Sequence, residues 1–158
     1  MMKMALAGLA LSVSGFANAG FILFEWDSSD NTQSLEWSID TEQLPNLVNV
    51  RFVQYETVFE SVGFGLPASF AGEVQSYILS EGGGVYLNGV SGNFFDGRGL
   101  QIFSGTTASP TFLTGTYALN VFGSNQNGTL KVSEVPEPTT LAIFALGVLG
   151  LASRRFKK

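Results

Sequence analysis

The stretch Ser34-Leu-Glu-Trp-Ser-Ile39 (SLEWSI) alternates strictly between apolar and polar side chains. In an extended chain successive side chains point to opposite faces, so Leu35, Trp37 and Ile39 share one side and Ser34, Glu36 and Ser38 the other. This is the pattern of a half-buried strand. Helical periodicity is hard to find anywhere between residues 21 and 134, whereas alternation recurs on both sides of this stretch. Phe21 to Trp26, Val48 to Tyr55 and Val74 to Leu79 are further strand candidates. Val85 to Leu87, Leu100 to Phe103 and Thr116 to Phe122 complete the set, all short, rich in Val, Phe, Tyr and Ile, and punctuated by glycine. Leu44 to Val48 (LPNLV) reads as a short turn or helix.

Two hairpins are expected. Gly82-Gly83-Gly84 lies between strand candidates and supplies positive φ at little steric cost. Asn127-Gly128 is a favoured two-residue turn pair, with Leu130 and Val132 resuming the alternation after it. About eight short strands in one domain of this length predict an all-β fold, an antiparallel β-sandwich of jelly-roll type. No repeat of fixed period appears, which argues against solenoids and propellers.

Composition limits the chemistry. The chain of 158 residues has no His and no Cys, so the commonest general base, the thiolate nucleophile and disulfides are all missing. Only 13% of residues are charged and 45% are hydrophobic, which excludes a disordered body. Of the basic residues only Arg51, Arg98 and Lys131 lie in 20–134, while of the acidic ones only Glu137 lies outside it. So acidic a body repels phosphate backbones, and nucleic acid is not an expected partner.

The two ends read differently from the body. Lys3, an apolar run from Met4 to Val13 and the small-x-small triplet Ala17-Asn18-Ala19 form a secretory signal, residues 1–19. Signal peptidase is expected to cut between Ala19 and Gly20. At the other end, Thr139 to Ser153 is uncharged and apolar all round. As a helix it measures roughly 22 Å, short for a hydrocarbon core about 30 Å thick. Arg154, Arg155, Lys157 and Lys158 follow it. They suit a snorkelling flank and place the C-terminus in the cytoplasm, leaving 20–134 outside.

Val135-Pro136-Glu137-Pro138, the short apolar helix and the basic tail together resemble the PEP-CTERM sorting signal of Gram-negative bacteria. The resemblance covers 135–158, and Phe156 within the basic tail is the one interruption. It implies recognition by an exosortase, a membrane-embedded protease, and cleavage near Pro136-Glu137-Pro138. It further implies passage from the inner membrane to the cell surface or extracellular matrix, and association with exopolysaccharide and biofilm.

Within 20–134 the residues offer weaker leads. Asp27, Asp30 and Asn31 carry hard oxygen ligands of the kind calcium takes, but without EF-hand spacing. An Asx-rich turn explains the same residues. Phe94, Phe95, Asp96 and Arg98 fit an aromatic platform with polar hooks for a sugar face, or equally core phenylalanines at a strand end. In the second reading Arg98 simply pairs with Asp96 or another acid. Glu56 and Glu60 share a face, which leaves a two-carboxylate hydrolase formally open, against the plainer reading of a solvated acidic surface. The expectation from sequence is a non-enzymatic exported protein without a cofactor, with a carbohydrate-binding module, calcium-assisted or not, as the alternative.

Overall fold

The computed structural model describes residues 20–89, 92–123 and 126–135. The signal segment, the Pro-Glu-Pro motif, the apolar run and the basic tail lie outside them. Eleven strands account for most of the rest: β1 (Phe21–Ser28), β2 (Ser34–Asp40), β3 (Leu47–Val48), β4 (Phe52–Val62), β5 (Ser69–Tyr77), β6 (Val85–Gly89), β7 (Gly92–Arg98), β8 (Phe103–Thr106), β9 (Ser109–Phe112), β10 (Gly115–Val121) and β11 (Asn127–Glu134). A single 3-10 turn, Leu79–Glu81, precedes β6. Among the described residues no helix is long and apolar enough to cross a membrane.

All strand pairings are antiparallel, and eight of the strands join in a ring. β1 pairs with β2, β2 with β4, and β4 through β7 pair in chain order. β7 then pairs with β10, β10 with β11, and β11 returns to β1. The fold is thus a closed up-and-down barrel, not the sandwich expected from sequence. Eight short alternating strands satisfy either architecture. Closure of β2 onto β4 and of β11 onto β1 leaves no pair of free-edged sheets to stack. β3 continues the line of β2 beside β4, and the β8–β9 hairpin is inserted between β7 and β10. That insertion leaves a short seam, Asn120 opposite Arg98 and Val121 opposite Gly97.

The alternation of SLEWSI is realised as inside and outside of the barrel. Phe24, Trp37, Phe59 and Phe70 are lateral neighbours on four successive strands and form an aromatic belt across the interior. Phe24 and Trp37 stack at 5.2 Å, and Phe59 meets Trp37 edge-on at 5.9 Å. A second row, Leu130, Trp26 and Leu35, lies beside it. An eight-stranded barrel is just wide enough for side chains to fill, and these rings fill it. Phe112, from the β8–β9 hairpin, packs edge-on against Phe24 at 5.3 Å, so the inserted hairpin contributes to the same core.

Several strand boundaries differ from the sequence reading. Val48 to Tyr55 is broken, because Asn49 Oδ1 accepts from the Arg51 and Phe52 N–H groups and turns the chain between β3 and β4. Leu44 to Val48 forms no helix and ends in β3. Leu100 to Ile102 is not strand; β8 begins at Phe103. Gly82, Gly83 and Gly84 all have positive φ in the β5–β6 connection, and the carbonyl of Gly97 occupies the space a Cβ on Gly84 would need. Asn127-Gly128 is not a turn. It opens β11, and the connection from β10 runs through Phe122 and Gly123.

Following the strands from their registers, one end of the barrel carries Phe21 and Glu134, and the Val135 N–H donates to the Phe21 carbonyl at 3.0 Å. The connections 40–52, 77–85 and 98–115 lie at this terminal end. The β1–β2, β4–β5, β6–β7 and β10–β11 connections lie at the far end.

Candidate functional site

Three surface arrangements carry the chemistry within the described residues. The first is a groove of about 300 Å³ on the outer wall, lined by Glu25, Asp27, Glu36, Glu60, Ser61 and Val62 among others. Glu25, Glu36 and Glu60 face one another in a lateral row across β1, β2 and β4. Each is the sequence neighbour of a belt aromatic, so the alternation that buries the rings necessarily lines up the acids outside. Like charges directly opposite are unfavourable in a sheet. Lys131, opposite Glu25, donates to its Oε2 at 2.6 Å and relieves the end of the row. Glu56 faces Glu73 instead, so Glu56 and Glu60 share the outer face but belong to different rows. Glu36 and Glu60 are both exposed on the open wall. Among the described residues no group of three or more His, Cys, Asp or Glu side chains is placed to hold a metal ion.

The second is the β1–β2 turn. Asp30 Oδ1 accepts hydrogen bonds from Ser28 Oγ at 2.6 Å, Thr32 Oγ1 at 2.7 Å and the Thr32 N–H at 3.1 Å. The Ser28 Oγ in turn accepts from the Thr32 and Gln33 N–H groups. Asn31 takes a left-handed conformation at φ 56°. Asp30 is thereby occupied within its own loop, while Asp27 lies on the groove wall. The hydrogen bonds from Ser28 and then Thr32 lower the Asp30 pKa to about 2. An acid whose folded pKa is depressed stabilises the fold above its unfolded pKa, about 3.9, and loses that contribution as pH falls through the folded value. Wild type should therefore melt above Asp30→Asn at pH 5–7, with the difference shrinking below about pH 4 and vanishing only below about pH 2. Thermal scans of the two proteins across that range check it.

The third is an aromatic and polar patch on β4 to β7. Phe52 and Tyr77 lie 5.3 Å apart, and Tyr86 meets Tyr77 edge-on at 6.5 Å. The Tyr77 hydroxyl donates to Gln75 Oε1, and Gln75 Nε2 donates to Gln54 Oε1. Arg98 lies 5.3 Å from the centre of the Tyr77 ring. Its Nε and Nη2 both donate to the Asp96 carboxylate, the latter at 2.9 Å, and Nη1 donates to the Glu81 carbonyl at 2.7 Å. The Asp96 hydrogen bond raises the Arg98 pKa further, keeping the guanidinium charged.

The structure separates the four residues grouped as a sugar face. Asp96 and Arg98 belong to this outer patch, whereas Phe95 is buried edge-on to Trp26 at 4.8 Å. Phe94 packs against Phe59 and Phe70. A register shift between Leu87 and Asn88 lets both phenylalanines turn toward the core. The four residues therefore do not share one face. The tyrosines beside Arg98 were missed because Tyr77 and Tyr86 are distant in sequence from Arg98, and only strand register brings them together.

The described chain is thus an all-β barrel with an acidic outer wall, and both its termini leave from one end. Residues 134–158 match the PEP-CTERM protein-sorting motif, which begins on the last residue of β11. The motif implies an exported protein that an exosortase processes and that is anchored in the membrane during sorting. No curated protein and no solved structure matches the chain.

Proposed function

We propose that this is a non-enzymatic protein of the cell surface or extracellular matrix, delivered through exosortase cleavage near Pro136-Glu137-Pro138 and associated with exopolysaccharide in a biofilm. The observation that carries the reading is the direct junction between barrel and motif. β11 ends at Glu134, the residue at which the motif begins, so a cut just beyond Val135 spares every strand. Residues 1–19 serve as the signal peptide that starts export.

The open position of Glu36 and Glu60 supports a body without hydrolytic chemistry. The Arg98 guanidinium over Tyr77 favours this role over carbohydrate binding, because a sugar stacking on that ring would compete with Arg98 for the same face. Mass spectrometry of the mature protein, from a host with an active exosortase, should show termini near Gly20 and near Glu137. A mature protein retaining Arg154 to Lys158 would sink the proposal.

A further inference from the structure

We propose that the terminal end of the barrel is a membrane-facing surface, resting on a zwitterionic phospholipid interface for as long as the C-terminal segment anchors the chain. The inference rests on that anchoring and goes beyond it, since a tethered domain need not touch the bilayer.

The first argument is reach. Val135 is fixed to Phe21 at the terminal end, and Pro136, Glu137 and Pro138 alone separate it from the uncharged run starting at Thr139. At no more than about 3.6 Å per residue, the start of that run stays within about 14 Å of the barrel. The second argument is the distribution of apolar surface. Leu44 is 86% exposed, Val50 84%, Leu79 61% and Leu100 63%, and all four sit on connections at the terminal end. Phe21 and Leu113 are exposed there too, with Leu47 and Val48 on β3 beside them. The remaining exposed large apolar side chains among the described residues, Val58, Val62 and Phe122, lie on the wall or at the far end. Isolated exposed apolar residues need no explanation, but their gathering on the loops nearest a membrane anchor does.

Charge selects the kind of lipid. At this end Arg51 pairs with Glu81 at 3.6 Å, and Asp40 and Glu42 add negative charge. An anionic surface would repel it, whereas zwitterionic headgroups would not. The interface then accommodates the leucine and valine side chains, which gain by leaving water.

The absence of cysteine makes a clean test possible. Full-length chains carrying Leu44→Cys, Val50→Cys or Leu79→Cys, or Val62→Cys or Phe122→Cys for the far end, are labelled with an environment-sensitive fluorophore. They are reconstituted in phosphatidylcholine vesicles with and without a lipid-borne quencher. The expected result is a blue-shifted emission and at least twofold stronger quenching at positions 44, 50 and 79 than at 62 and 122. Equal quenching at both ends overturns the proposal. So does a blue shift that follows protein-to-lipid ratio without lipid quenching, which would show a second copy covering the surface. Flotation of the same samples separates the two premises. Protein that fails to float overturns the anchoring itself, and protein that floats without end-specific quenching overturns the docking alone.

Discussion

Replacing Trp37 by alanine is expected to lower the unfolding free energy by about 3–5 kcal/mol, measured by urea unfolding followed by circular dichroism. Trp37 is almost fully buried at the centre of the aromatic belt, stacked on Phe24 and edge-on to Phe59. The closed ring of strands cannot collapse inward without breaking its hydrogen-bond register, so much of the vacated volume persists as a cavity. A domain of this size has a total stability of roughly 5–15 kcal/mol, so one substitution removes a large share of it. Trp37→Phe should lose less than half as much. It keeps a ring against Phe24, and the indole N–H it discards is buried without a hydrogen-bond partner among the described residues. Equal losses for the two variants would show that the belt does not hold the barrel together in this way.

Gly128→Val is expected to destabilise at or beyond the upper end of the roughly 1–3 kcal/mol that overpacking costs. A Cβ at Gly128 would lie 2.5 Å from the indole of Trp26 and closer still to the Asp27 carbonyl. Neither neighbour can move away, since Trp26 is fully buried and Asp27 is paired to β2 and β11 on either side. The strain therefore falls on the β1–β11 pairing that closes the ring. Amide hydrogen exchange should show lost protection in β1 and β11 before the other strands. Uniform loss, or none, would contradict the steric account.

Gly128 also shows where local sequence misleads. Asn-Gly is a turn signal because glycine takes positive φ cheaply, but here the glycine is selected by the Trp26 indole packed against it from the neighbouring strand, a contact of residues about a hundred positions apart. The same limit hid the barrel. Alternation in SLEWSI identified a strand and the face it buries, because period two is a property of the strand alone, while FILFEW and TYALNV were legible as strands from their composition. Closure depends on β2 meeting β4 and on β11 meeting β1, and neither partner is written into the strand that needs it. Phe94 and Phe95 were ambiguous for a related reason. Two adjacent residues face one way only at a bulge, and the bulge is set by pairing with β6. Asn49 was legible in principle, since asparagine is a turn former, but the flanking valines, Val48 and Val50, masked it. The C-terminal segment read most easily because its chemistry is compositional, and the match at 134–158 agrees with the resemblance read from its residues.

The neighbouring positions of Phe21, which opens β1, and Val135, which directly follows the antiparallel β11, have a mechanical consequence. A load applied between the two termini would peel β1 from β11 like a zipper, breaking the pairs from Ile22–Glu134 onward one after another. A load that enters through the C-terminus alone and leaves through the opposite wall acts differently. It pulls β11 lengthwise between β1 and β10 and must shear both sets of hydrogen bonds at once. A chain held by its C-terminal segment, with its N-terminus free, meets drag in the second, stronger geometry.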